Sequence, residues 1–259
     1  LSWRSSRSFP DEKTHAPIRW NFSDGCRHSV AERRDRCRPG VFRPGVFIHA
    51  ADEITDRVEK FLLATGGCVQ QQIALLLHER PALVIGPGTG LGVGSLLHLN
   101  QQQWMAVPGE GGHVDLPVGN AREAAIHQQI QSQIGHVSAE TVLSGGGLVR
   151  LYQAMCALDG VQPVHLSPAE VTEAALAGEP QALAVIEQFC CFLGRVAGNN
   201  VLTLGARGGV YIVGGVIPRF AELFLRSGFA ASFADKGCMS GYFAGIPVWL
   251  VTAEFSGLL

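Results

Sequence analysis

The stretch Ala82-Leu83-Val84-Ile85-Gly86-Pro87-Gly88-Thr89-Gly90-Leu91-Gly92, running on through Val93 to Leu99, decides the fold. Ala82 to Ile85 is a short apolar run that ends on glycines, and Val93 to Leu99 reads as a returning strand. The segment Gly86–Gly92 is then a hairpin connection. Its repeated glycines leave backbone N–H groups free of Cβ obstruction, and Thr89 adds a hydroxyl donor. Three readings compete for such a loop. A P-loop requires Gly-Lys-Ser/Thr, which is absent, so no lysine reaches the outer phosphates. A dinucleotide turn requires a helix opening at the glycines and an acid about 20 residues on. A phosphate loop between two antiparallel strands agrees with the apolar run after Gly92. A purely structural turn remains the bland alternative.

Working outward, Ala121 to Ile134 has the pattern of an amphipathic helix. Ser167-Pro168-Ala169-Glu170 opens another, with Ser as N-cap, Pro in the first turn and Glu three residues on to close a capping box. Ala182 to Leu204 is a long helix whose apolar positions nearly encircle it, as in a buried helix. Val210 to Val213 reads as a core strand running into Gly214-Gly215, Ile217 to Arg226 as a helix with Pro218 in its first turn, and Val248 to Val251 as another core strand. Strands alternating with helices, and glycine-rich turns after the strands, indicate an α/β fold with ligands at strand ends.

Two further segments carry chemistry. Pro108-Gly109-Glu110-Gly111-Gly112-His113-Val114-Asp115 puts two ionisable side chains in a loop whose glycines let backbone approach a ligand. A hexose is held by groups that pair with adjacent hydroxyls, and Glu with His at short spacing supplies both acceptors and donors. Glu-x-x-His also holds metals when it lies on a helix, but Gly111-Gly112 argues against a helix, and no metal site is expected. Farther on, Ser138 caps a helical turn and places Glu140 near its N-terminus, which by itself is a favourable charge–dipole contact.

The composition suits a globular α/β protein: 259 residues, 47% hydrophobic, formal net charge −2. That charge gives no basis for a nucleic-acid or membrane-surface partner. Seven cysteines, at irregular spacing and with no Cys-x-x-Cys pair, fit a reduced, cytoplasmic setting. Apolar runs long enough to span a membrane are absent, and the arginine-bearing start, with no continuous apolar segment behind it, is not expected to act as a secretory signal. The charge is split, since residues 1–45 carry ten of the twenty Lys and Arg. That stretch has no sustained period, and it contains the echo Arg38-Pro39-Gly40-Val41-Phe42 and Arg43-Pro44-Gly45-Val46-Phe47. From Asp52 to Leu77 a helical pattern appears, broken at Gly66-Gly67. Residues 1–80 are therefore expected to be a degenerate or poorly ordered remnant, and 81–259 a large α/β lobe.

Taken together, the segments 86–92, 108–115, Gly135-His136-Val137-Ser138-Ala139-Glu140 with Val142–Gly145, and Gly208 to Phe220 resemble the bacterial glucokinase family in order and spacing. The resemblance implies the actin-like ATPase (ribonuclease H-like) sugar-kinase fold, with two lobes closing over glucose and Mg·ATP. It implies sugar contacts at Glu110, His113 and Glu140. For the nucleotide it implies contacts at Gly86, Gly88, Thr89, Gly90, Gly214 and Gly215. Mg²⁺ would arrive with ATP as co-substrate, and the assembly expected from relatives is a homodimer. Two family segments have no match: the Asp-x-Gly-Gly-Thr-Asn phosphate loop, and the Asn-Asp-Phe-Thr segment that carries the catalytic base. Counting back from Gly88 by the family separation lands near Asp52, a candidate base whose flanks do not match. The chain is thus expected to be a partial or frameshifted reading of a longer gene, with weak or no kinase turnover as written. The rival readings are a non-catalytic sugar- and nucleotide-binding protein on the same fold, and a nucleotide-binding dehydrogenase.

Overall fold

A computed structural model of the chain describes residues 48–50, 80–100 and 103–251, all within one compact unit that runs from Arg43 to Leu259. Asp52, the basic stretch 1–45 and the helical pattern 52–77 lie outside the described residues.

Among the described residues the strands are β1 (Ile48–Ala50), β2 (Ala82–Pro87), β3 (Leu91–Asn100), β4 (Gln103–Gly109), β5 (Gly209–Ile212) and β6 (Val248–Leu250). They form one sheet in the order β1-β6-β5-β2-β3-β4. β1, β6, β5 and β2 run parallel, whereas β2, β3 and β4 form an antiparallel meander. Such a mixed sheet brings the C-terminal ends of its parallel strands to one edge, where ligands of α/β proteins bind. The expected hairpin is present and tighter than expected. Gly86 pairs with Gly92 and Pro87 with Leu91, so only Gly88-Thr89-Gly90 form the turn. The antiparallel return of β3 leaves no helix at the glycines and so removes the dinucleotide-turn reading.

The helices are α1 (Ala121–Ile134), α2 (Ala139–Val142), α3 (Gly145–Asp159), α4 (Pro168–Leu176), α5 (Pro180–Leu204), α6 (Ala221–Arg226) and α7 (Phe229–Ala234). Their starts follow the local chemistry. Asn120 accepts the Glu123 N–H to cap α1, Ser144 accepts the Gly147 N–H to cap α3, and Ser167 accepts the Glu170 N–H to cap α4. At α4 the expected capping box is displaced by one residue, because the Glu170 carboxylate accepts the N–H of Leu166 at 2.7 Å. The helix expected over 217–226 is divided: Ile217–Phe220 is a 3₁₀ turn holding Pro218, and α6 starts only at Ala221.

Helix α5, 25 residues long, runs through the middle of the core. Thirteen of its residues are buried, among them Phe189, Phe192, Leu193 and Val196, which explains a sequence that is apolar nearly all round. Gly194 and Gly198 lie against the backbone of α7: a Cβ at either would collide with the carbonyl of Phe229 or Phe233. The two glycines thereby let the helices approach closely. Phe224, Phe229, Phe233 and Phe243 continue the contact as a chain of ring pairs 4.9–5.8 Å apart. Burying each such side chain stabilises the fold by about 1.5–3 kcal/mol.

Buried charge ties the periphery to this core. The Glu123 carboxylate of α1 accepts the Gly119 N–H at 2.6 Å and lies 2.8 Å from Arg195 Nε of α5. The Nε contact is an ion pair off the line a hydrogen bond requires, and Arg195 Nη1 donates to Asp235 at 2.9 Å. Gly119 has no side chain because the guanidinium occupies the space a Cβ would take. Among the described residues no helix is long and apolar enough to cross a membrane.

Candidate functional site

The site grows from three short segments at the ligand edge of the sheet. In the β2–β3 turn, the Gly88 N–H donates to the Gly90 carbonyl at 2.8 Å, and the Gly88 carbonyl accepts the Gly145 N–H at 2.8 Å. The turn therefore rests directly on the N-terminus of α3, a 15-residue helix whose unpaired N–H groups favour negative charge. Ser144 and Gly145 belong to a segment that resembles the family, but the sequence reading gave residues 144–147 no site role. Their signal was Ser144 before three glycines, an N-cap followed by backbone free of side chains.

Beside this turn stands the strand–loop carrying Glu110 and His113. The His113 N–H donates to the Glu110 carbonyl at 2.9 Å, closing a tight turn, and the Gly112 carbonyl accepts the Glu140 N–H at 2.7 Å. Gly111 has to be small: a Cβ there would lie 2.8 Å from Val93 Cγ1 and 3.2 Å from Asn200 Oδ1 at the end of α5. Ser138 caps α2, and Thr141 returns the bond in a capping box, which fixes Glu140 in the first turn.

These local devices bring Glu110, His113 and Glu140 together. His113 Nε2 lies 3.9 Å from Glu110 Oε2 and 3.9 Å from Glu140 Oε1. The side chains are 90%, 59% and 34% exposed respectively, so two carboxylates and an imidazole line an open, solvent-facing mouth with Glu140 at its base. The other oxygen of Glu140, Oε2, accepts the Leu91 N–H at 2.8 Å. The Glu110–His113–Glu140 cluster and the glycine turn are thereby one hydrogen bond apart, across 49 residues of sequence.

The second glycine pair completes the edge. The Val213 N–H donates to the Ile85 carbonyl at 2.9 Å and the Val216 N–H to the Pro87 carbonyl at 3.3 Å, so the chain after β5 lies against the end of β2. Gly214 has φ +89° and faces the Pro87 carbonyl, while Gly86 faces Val213 Cγ2, where a Cβ would come within 2.7 Å. Gly88, Thr89, Gly90 and Gly215 sit at the outer rim, with Thr89 and Gly215 exposed. The arrangement is a backbone cradle kept open by glycine, suited to a phosphorylated ligand. Asp115, two residues after His113, lies 3.5 Å from His136 Nε2.

The sequence model of the family described as Glucokinase matches residues 62–259. The chain belongs to the glucokinase family. The glucokinase of Pseudomonas paraeruginosa is 58% identical over 182 residues, which is 70% of this chain and 54% of that protein. That of Erwinia tasmaniensis is 45% identical over 202 residues, covering 78% of this chain and 61% of the relative. Among solved structures, a glucokinase from an Antarctic psychrotroph superposes with a TM-score of 0.65 at 38% identity, covering 69% of this chain and 55% of that one. Glucokinase from Balamuthia mandrillaris, solved in complex with glucose, gives a TM-score of 0.63 at 22% identity over 78% of this chain and 61% of its own. The fold is thus the actin-like ATPase sugar-kinase fold. The chain spans little more than half the length of these glucokinase relatives.

Proposed function

We propose that the described residues form the hexose- and nucleotide-binding part of an ATP-dependent glucose kinase, which transfers the γ-phosphoryl group to the sugar 6-hydroxyl. The observation that carries this reading is the Glu140 carboxylate. One of its oxygens faces His113 in the polar mouth, and the other holds the backbone of the glycine turn. Glu110, His113 and Glu140 act as the sugar contacts, since two carboxylates accept hydroxyl protons and the imidazole donates or accepts according to its tautomer. Gly86, Gly88, Thr89 and Gly90 line the phosphate side, supported by the N-terminus of α3. Gly214 and Gly215 line the nucleoside side.

Phosphoryl transfer requires positioning and electrostatic stabilisation more than covalent chemistry. The roles assigned to these residues are of that kind: they orient the sugar, and they aim backbone dipoles at negative oxygens. Among the described residues no three His, Cys, Asp or Glu side chains converge as a metal cage. Mg²⁺ would come with ATP as co-substrate, held chiefly by its phosphates. Asp52, the one candidate base offered by family spacing, is outside the described residues.

Titrating the chain with glucose, and separately with the non-hydrolysable nucleotide AMPPNP, tests the reading. Binding of both is expected, with the sugar affinity lowered in Glu110→Ala, His113→Ala and Glu140→Ala. Unchanged glucose affinity in all three variants would remove the sugar assignment.

A further inference from the structure

Glu140 is the point at which the two ligand regions meet, and its surroundings go beyond a simple sugar contact. Its N–H is fixed to the Gly112 carbonyl of the sugar loop at 2.7 Å, and its Oε2 takes the Leu91 N–H of the glycine hairpin at 2.8 Å. Leu91 stands opposite Pro87, whose carbonyl accepts the Val216 N–H at 3.3 Å. Gly90 is pressed against the same carboxylate, so that a Cβ there would come within 2.5 Å of Oε2. One carboxylate thus sets the sugar mouth and the turn that follows Gly88 at the same time.

Resting on the sugar reading above, we propose that Glu140 is a positioning residue that couples hexose binding to the geometry of the phosphate turn. A hexose hydroxyl donating to Oε1 fixes the carboxylate rotamer. That in turn strengthens the hold of Oε2 on the Leu91 N–H and orders Gly88-Thr89-Gly90 for phosphate. The first ligand bears the ordering cost and the second binds to a turn already set, which is positive cooperativity within one lobe. Coupling of this kind is reciprocal, so the factor by which glucose tightens the nucleotide equals the factor by which the nucleotide tightens glucose.

The experiment is a calorimetric square on the full chain: D-glucose alone, AMPPNP alone, and each at saturation of the other. The expected coupling factor is about fivefold or more, the lower end of ordinary heterotropic effects. Gly90→Ala crowds Oε2 of Glu140 and so disturbs that carboxylate without replacing any side chain placed on the sugar. It is expected to weaken glucose about tenfold, as for loss of one well-placed hydrogen bond, and to bring the coupling factor near one. In a Glu140→Ala background the same Gly90→Ala change is expected to leave glucose affinity unaltered, which a general structural defect at position 90 would not do. On the unmodified chain, hydrogen exchange at the Leu91 amide is expected to slow at saturating glucose, a readout that does not depend on any variant folding. If both ligands bind with a coupling factor of one, or the Leu91 amide is indifferent to saturating glucose, the coupling is refuted and the sugar site stands. Failure of glucose to bind at all would take down the site assignment and the coupling together.

Discussion

Replacing Arg195 with Met probes the buried charge that joins α1 to α5, and the geometry sets the size of the effect. Glu123 is 2% and Arg195 11% exposed at the side chain, with 2.8 Å between Nε and Oε2, so solvent does little to screen this pair. Asp235, 60% exposed, is screened and contributes about 0–1 kcal/mol. Removing Arg195 leaves the Glu123 carboxylate with the Gly119 N–H at 2.6 Å and a long contact to Gln188 at 3.5 Å. An uncompensated buried charge of this kind costs about 3–5 kcal/mol. For a domain of this size the thermal midpoint should fall by roughly 6–20 °C. The decisive comparison is the double variant Glu123→Gln/Arg195→Met, in which no charge is stranded. Urea unfolding followed by circular dichroism should place it within about 2 kcal/mol of the parent, because an apolar or neutral replacement of a buried pair is often close to neutral. A loss below about 1 kcal/mol for Arg195→Met, or strict additivity of the two single changes, would refute the argument.

Gly214→Ala should lower stability by about 1–2 kcal/mol, because φ +89° is strained for any residue with a Cβ, and should also weaken AMPPNP; an unchanged melting temperature would contradict this. Gly215→Ala, where nothing lies within 4 Å of an added Cβ, should stay within about 0.5 kcal/mol of the parent in the same melt. Asp159 is held below the ordinary aspartate range by Gln181 and then by Arg122, whose Nη2 lies 2.6 Å from both carboxylate oxygens. Its stabilising contribution is therefore present above the ordinary value of about 4 and lost as the pH falls through the depressed one. The gap in urea midpoint between the parent and Asp159→Asn should hold from neutral pH to about pH 4 and close below it; a gap that is constant into strong acid would count against the assignment. Burial pushes the Cys191 thiol up to about 11, and Cys190 still higher, whereas Cys238 is exposed. Iodoacetamide at pH 8 should label Cys238 well before either neighbour, as read by peptide mass mapping, and equal rates would overturn the burial argument.

What the sequence determined by itself was whatever rests on local chemistry. The Ala82–Ile85 strand and its antiparallel return were legible because an apolar run, a glycine turn and a second apolar run admit few other readings. The α4 start was legible from Ser167, whose side chain caps the helix, and α1 from its amphipathic pattern, whereas its Asn120 cap was not read. Glu110, His113 and Glu140 were legible as candidates from residue type and family order, though nothing local says that residue 140 meets residue 91. The split at Pro218 was not foreseen, since helical periodicity does not distinguish a 3₁₀ turn from the first turn of an α-helix over four residues.

Only the tertiary structure decided which distant groups share a place. The seating of the Gly88 turn on α3, the packing of α5 glycines against α7 and the enclosure of Arg195 between Glu123 and Asp235 depend on contacts 35–72 residues apart for which no short-range pattern exists. The bond from Leu91 to Glu140 belongs to the same class. Local periodicity is a property of consecutive residues, but a hydrogen bond between two loops is fixed by the sheet and helices that hold both ends.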